Sequence, residues 1–465
     1  MKRVLITNNT LDIRAGSELY VRDICKHLLT LGWSPIAYST HLGAVAEEIR
    51  ALGVPVIDDL NKLAKPPDLI HGHHHLETMT AIQHFPSVPV VYVCQSWVPW
   101  EEVPPIHPQI KRYVAVNVLC RERLVSENGI REDIVDMILN FADMDVFQLR
   151  ETLPPKFAKA LLFNNHLTNE DELVQILRQV CQNNGATLDL YGARSGIVSD
   201  RPDQLLKNYD LVFATGRSAI EALAVGCAVV VCDQNGFAGM VTPARLEIYR
   251  ELNFAYRLVK QRPRPTFKHV QDELKLYNAK DSRVVTTKIR EEASAKEATI
   301  KLTDIYNCVL KENPSIVQES TPEQKASAAY LAWLSAEFKA KTSQCYHLSH
   351  QKNELTRQYE LLQQSHSELK EESHRLHGKQ NALENAYNNL LTTHQYLQKT
   401  YEDLHVSNHQ MQESFNALSR QHSKLISKNE TAVQQSKKLT KHINQWNNRS
   451  WFKRAFHKLS LNKEL

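Results

Sequence analysis

The residues of this 465-residue chain that could do chemistry gather in three stretches. Residues 213–233 read as strand, glycine-containing turn, helix, glycine and strand. Gly216, Arg217 and Ser218 open the helix, and Glu221 sits in the first turn of an otherwise apolar segment. A carboxylate there can accept two hydrogen bonds from a vicinal diol such as a ribose. Arg217 and the helix N-terminus suit a diphosphate. The structural alternative is that Glu221 simply partners the helix dipole. The next turn, residues 233–239 with Gly236, sits at a strand's carboxyl end, where ligand loops belong.

Near the start, Arg14-Ala15-Gly16-Ser17-Glu18 follows an apolar run and begins a helix. Gly16 lets backbone N–H groups approach a ligand, and a helix start attracts phosphate or another anion. A plain helix start capped by Ser17 is the alternative. The run His71-Gly72-His73-His74-His75 allows three readings. It can supply metal ligands, since His71 and His73 share a strand face. It can contact an acceptor or phosphate through His73 or His74, or it can be structural.

These stretches need a scaffold, and the hydrophobic pattern supplies one. Strand-like runs cover residues 4–8, 36–39, 54–58, 69–72, 88–93, 113–116 and 134–139, with helix-like segments between them such as 17–31 and 44–52. The pattern restarts after a proline-bearing linker at 149–156. Strands follow at 160–164, 188–192, 211–215 and 228–233, with helices at 169–183 and 218–225 and, at the end, 267–277 and 282–310. Strands alternating with helices define parallel sheets covered on both faces. The expected fold is therefore α/β, with two Rossmann-like doubly wound domains and a ligand cleft between them.

Past Pro322 the chain changes character: it has one glycine, Gly378, and no proline. Stepping by seven from Leu355 to Leu425 meets ten leucines and Met411. The positions four residues on are mixed, with Tyr359, Tyr387 and Phe415 recurring every 28 residues and His366, His394 and His422 doing the same. This is a coiled-coil heptad whose polar seam positions fix register. Residues 321–465 hold 20 Lys+Arg against 13 Asp+Glu, and eight of those basic residues follow Glu430. There, Trp451, Phe452 and Phe456 interleave with basic residues, a composition suited to an anionic membrane surface.

The domains expected are thus 1–150, 151–320, a coiled coil over 321–446 and a basic aromatic segment over 447–465. No apolar run is long enough to span a membrane. The start turns polar at Thr7, unlike a signal peptide. Eight scattered cysteines, none in a CxxC pair, suit a reducing cytoplasm. No basic patch outside the last 35 residues suggests nucleic acid. The expected location is cytoplasmic, with peripheral contact at the inner membrane through the terminus.

Five stretches, in order, resemble glycosyltransferases of family 4, which have the two-domain GT-B fold. They are Ala15-Gly16-Ser17-Glu18 running to Trp33; Pro67-Asp68-Leu69-Ile70-His71-Gly72-His73; Asn140-Phe141-Ala142-Asp143 with Phe147; the Glu221 helix; and Val241-Thr242-Pro243 through Leu252-Asn253-Phe254. The resemblance covers residues 1–310.

It implies transfer of a sugar, by a hexosyltransferase type of enzyme, from a nucleotide-diphosphate sugar bound by the second domain. The acceptor would be a glycan, lipid-linked or protein acceptor on the first domain, in bacterial surface polysaccharide biosynthesis. Gly216, Arg217, Ser218, Glu221, Arg194 and Gly236 fall to donor binding, Gly16 and Ser17 to an acceptor or phosphate loop, and His73 and Gln95 to the reacting centre. No metal or other cofactor is implied, because helix N-termini and basic side chains neutralise the leaving diphosphate.

The chain also departs from the family pattern. Phe213 stands where a first glutamate is usual. Phe163-Asn164-Asn165-His166-Leu167 replaces the usual Arg and Lys, and Gln95 replaces a histidine. The second reading is therefore a non-catalytic GT-B-like scaffold. Both readings include a homo-oligomer held by the coiled coil.

Overall fold

The computed structural model describes residues 1–97, 99–255, 265–313 and 320–421, with side chains to 414, and residues 436–438, 440, 441 and 445. The basic aromatic segment 447–465 and the last heptad leucine, Leu425, lie outside the described residues. The chain falls into two compact units, residues 1–347 and 348–465.

Two sheets organise residues 1–347. The first holds β1 (Arg3–Thr7), β2 (Ser34–Tyr38), β3 (Val56–Ile57), β4 (Leu69–Gly72), β5 (Val90–Cys94), β6 (Ile110–Ala115) and β7 (Val135–Met137). All pairs are parallel, in the order β3-β2-β1-β4-β5-β6-β7. The second holds β8 (Lys159–Phe163), β9 (Thr187–Tyr191), β10 (Leu211–Ala214), β11 (Ala228–Asp233) and β12 (Gly236–Met240), in the order β12-β11-β10-β8-β9. The winding reverses between β1 and β4 and between β8 and β10, which opens a crevice at each strand carboxyl end.

The residues explain the layers. β5 and β11 are buried along their whole length and, apart from the terminal Asp233 of β11, apolar, as strands covered on both faces must be. Edge strand β9 instead alternates buried Leu188 and Leu190 with exposed Thr187 and Asp189. Gly192 follows β9 because a Cβ there would overlap the Asn164 carbonyl.

Three expectations are corrected. β12 is an antiparallel strand, where the sequence suggested only a ligand turn. Glu273 accepts the Met240 N–H and holds that edge. The helix expected over 282–310 is two helices, Ala279–Glu292 and Ala295–Glu312. The chain crosses between domains at the break: Ile289 and Ala293 belong to a core of the second domain, whereas Ala295, Leu302 and Tyr306 belong to that of the first. The helix Ala295–Glu312 is therefore first-domain structure, not part of 151–320. Ala142, on the outward crossing, exchanges backbone hydrogen bonds with Ala293 and Ala295 on the return.

The third correction concerns the tail. One helix, Pro322–Gln421, begins where the coiled coil was expected. Residues 322–347, however, pack on the first domain. Lys339 Nζ reaches Glu77 Oε1 and Thr40 Oγ1, and Ser335 Oγ donates to the same Glu77 oxygen. Phe338 lies 4.3 Å from Trp100, ring centre to ring centre. From residue 348 on, heptad leucines Leu355, Leu362, Leu369, Leu376, Leu383 and Leu404 stand exposed on the helix, and Leu390 and Leu397 are half-buried. No described helix is long and apolar enough to cross a membrane.

Candidate functional site in the interdomain cleft

A cleft of about 410 Å³ opens between the two α/β domains. The first domain contributes Asn9, Gly16, Ser17, His74, Gln95 and Glu102, and the second contributes Arg217 and Asn253. Two helix starts meet here. Helix Gly16–Thr30 begins after Ala15 and helix Gly216–Val225 after Thr215, and no side chain caps either one. The positive end of each helix dipole therefore faces the same space.

Arg217 is the main cation. Its Nε donates to Glu221 Oε1 at 2.7 Å, and its Nη2 pairs with Asp23, which lies on helix Gly16–Thr30 of the other domain. Nη1 and Glu221 Oε2 carry no hydrogen bond among the described residues. Burial works against the Arg217 charge, but Asp23 and Glu221 more than offset it and hold the guanidinium protonated. Burial raises the Glu221 carboxyl, with Arg217 opposing. The pair therefore keeps one donor and one acceptor atom in reserve.

Of the histidines, His74 lines the cleft and His73 does not. His74 has φ +58°, a left-handed conformation rare outside glycine, and this turns its ring towards Asn9 and Glu102. Its Nδ1 accepts the Asn9 N–H at 3.0 Å, so the ring proton sits on Nε2, 3.5 Å from Glu102 Oε1. Burial, with Lys339 nearby, lowers His74 to about 3. A neutral ring can hydrogen-bond a ligand but cannot neutralise a diphosphate.

His73 is fully buried, its Nε2 2.6 Å from His71 Nε2. The other His71 nitrogen bonds the Tyr306 hydroxyl. His75 packs on Trp100. The run thus points in several directions rather than converging on one ion.

Gln95 does line the cleft. Its backbone N–H donates to Glu102 Oε2 at 3.1 Å, while its Nε2 is buried with no partner among the described residues. Asn253 Oδ1, across the cleft, is likewise buried and unpaired. Buried polar atoms are almost always hydrogen-bonded, so these two groups on one cleft are free to take a partner that enters it. Asn253 and Phe254 both have positive φ, and the Phe254 carbonyl accepts the Gly216 N–H. Backbone strain is thus concentrated beside the helix start.

The remaining expected donor residues sit elsewhere on the same carboxyl edge. Arg194 is exposed, donating to the His166 carbonyl, and Gly236 is buried as the first residue of β12. Neither lines the cleft. Ser218 lies beside Arg217 in the first turn of its helix.

Sequence reasoning missed Glu102, Asn9 and Asn253. Asn9 follows β1 directly, and Asn253 lies in the Leu252-Asn253-Phe254 stretch already singled out. Glu102, 3% exposed, had no motif to mark it. Burial pushes its carboxyl up to about 8.

No family model matches the chain, and no curated protein does. Solved structures do. A glycosyltransferase from Rickettsia africae matches at 14% identity and TM-score 0.44, covering 67% of this chain and 99% of its own. The Anabaena protein HepE, in complex with UDP, matches at 15% identity and TM-score 0.48, covering 66% and 100%. A UDP-N-acetylglucosamine 2-epimerase described as putative, from Listeria monocytogenes, matches at 12% identity and TM-score 0.40, covering 68% and 98%.

Proposed function

We propose that this chain is a glycosyltransferase that moves a sugar from a nucleoside-diphosphate sugar to an acceptor lying against the first domain. The observation that carries the reading is the convergence, on one cleft, of two uncapped helix starts, the unbonded Nη1 of Arg217 and the orphaned Gln95 Nε2 and Asn253 Oδ1. The difficult step in such a transfer is release of the diphosphate, on which negative charge develops. Fixed N–H dipoles and a preset guanidinium stabilise that charge without reorganising. Glu221 Oε2 takes a ribose hydroxyl. Gln95 and His74, neutral at the first-domain wall, orient the sugar and the acceptor hydroxyl.

Assembly is the second part of the proposal. Exposed leucines at heptad spacing on Pro322–Gln421 find burial by pairing with the same helix of another copy. The acceptor is a glycan or a lipid-linked or protein-linked saccharide of a bacterial surface. The reading is tested by thermal shift with a panel of nucleoside diphosphates and their sugars, with Glu221→Ala as control. Stabilisation of the wild type by one base, diminished in the variant, is expected. No response to any nucleotide would contradict it.

The pairing of Arg217 with two carboxylates favours the scaffold alternative in one respect, since it leaves little uncompensated positive charge in the cleft. Nucleotide binding without turnover on any acceptor would mark that case.

A further inference from the structure

The tail helix reads in the sequence as an assembly device, yet its first turns are bound into the catalytic half of the molecule. Glu77 is fully buried, and its Oε1 accepts from Lys339 and Ser335 of the helix. Lys339 also donates to the carbonyl of Asn9, the residue whose N–H holds His74 at the cleft. The helix is thus fixed beside the cleft by a buried ion pair that it could leave only by stranding a carboxylate. Two turns further on, at seven residues and 3.6 residues per turn, Tyr346 comes round to the same side. It lines the cleft with Asn9, His74 and Gln95, and it is 73% exposed.

This inference rests on the glycosyltransferase reading. We propose that Tyr346 is a specificity-determining residue for the acceptor, its ring the platform on which a glycosyl ring stacks at the first-domain side of the cleft. The tail helix then forms part of the substrate site as well as the assembly device. The phenol suits the role. A tyrosine presents a large apolar face at little entropic cost and keeps a hydroxyl for a polar partner. The C–H face of a pyranose is the complementary surface. The donor's charges are met by Arg217, and Tyr346, which carries none, stands with the first-domain residues where the acceptor belongs.

The test uses the full chain as wild type, Tyr346→Phe and Tyr346→Ala. Each is titrated with a panel of p-nitrophenyl glycosides by saturation-transfer NMR and, separately, with UDP and GDP by calorimetry. At least one glycoside should bind wild type and Tyr346→Phe alike and bind Tyr346→Ala about fivefold or more weakly, on the scale of one lost ring contact. Nucleotide affinity should be the same in all three. Equal glycoside affinity in Tyr346→Ala, no glycoside bound by the wild type, or a parallel loss of nucleotide affinity would each overturn the proposal. If glycoside binding follows Tyr346 while no nucleotide binds the wild type, the transferase reading fails and the saccharide platform stands.

Discussion

Arg217 joins Glu221 of its own helix to Asp23 of the other domain. All three side chains are nearly buried; removing the cation leaves Glu221 without its partner, while Asp23 keeps Arg22, which donates to its Oδ1 from Nε and Nη2. Arg217→Ala should cost about 3–5 kcal/mol of stability, the usual penalty for breaking a buried ion pair from one side. Urea unfolding would read it, and a change within error of zero would show that the pair is not closed in solution. Glu102 makes a pH prediction. Its carboxyl holds a proton up to about pH 8 when folded but loses it near 4.5 when free. The folded state therefore binds more protons across that window, and stability falls as pH rises through it. The Tm of Glu102→Gln, which cannot titrate, should gain on that of the wild type between about pH 5 and about pH 8. Parallel Tm curves would remove Glu102 as a titrating group.

At the scale of elements, the tail boundary is the sharpest consequence. Deleting residues 348–465 removes the exposed heptads but keeps Lys339 on Glu77. That truncation should be a folded monomer by light scattering. Deleting 325–465 strands Glu77 as well and should lower the Tm by several degrees, on the order of the cost of an unpaired buried charge. A dimeric 1–347 fragment would mean that the heptads are not the assembly device. The elements also show what a sequence can reveal. Parallel strand β11 is legible at residues 228–233, because a strand buried on both faces is a nearly continuous apolar run, here closed by Asp233. The break at Ala293 and Ser294 has a weaker mark: neither proline nor glycine ends the helix there, and only Ser294 with Glu297 three residues on signals a new helix start. β12 was hidden by two glycines in five residues. Choosing His74 over His73 depends on one left-handed backbone angle at a residue type that does not advertise it. The helix starts at Gly16 and Gly216 were legible; the residues that complete their cleft come from loops and from a tail helix over a hundred positions away.

For the whole molecule, two covered sheets, a paired crossing at Ala142 and Ala293, and one ion pair from Arg217 to Asp23 place both uncapped helix starts on a single cleft. The proposed function requires that this cleft take a nucleoside diphosphate. The direct measurement is calorimetric titration of UDP, GDP and their sugars into the full chain and into Glu221→Ala. Saturable one-site binding of one base by the wild type is expected, weakened about tenfold or more in the variant by loss of a charged hydrogen-bond acceptor. No binding of any nucleotide, or equal binding by both proteins, would contradict it.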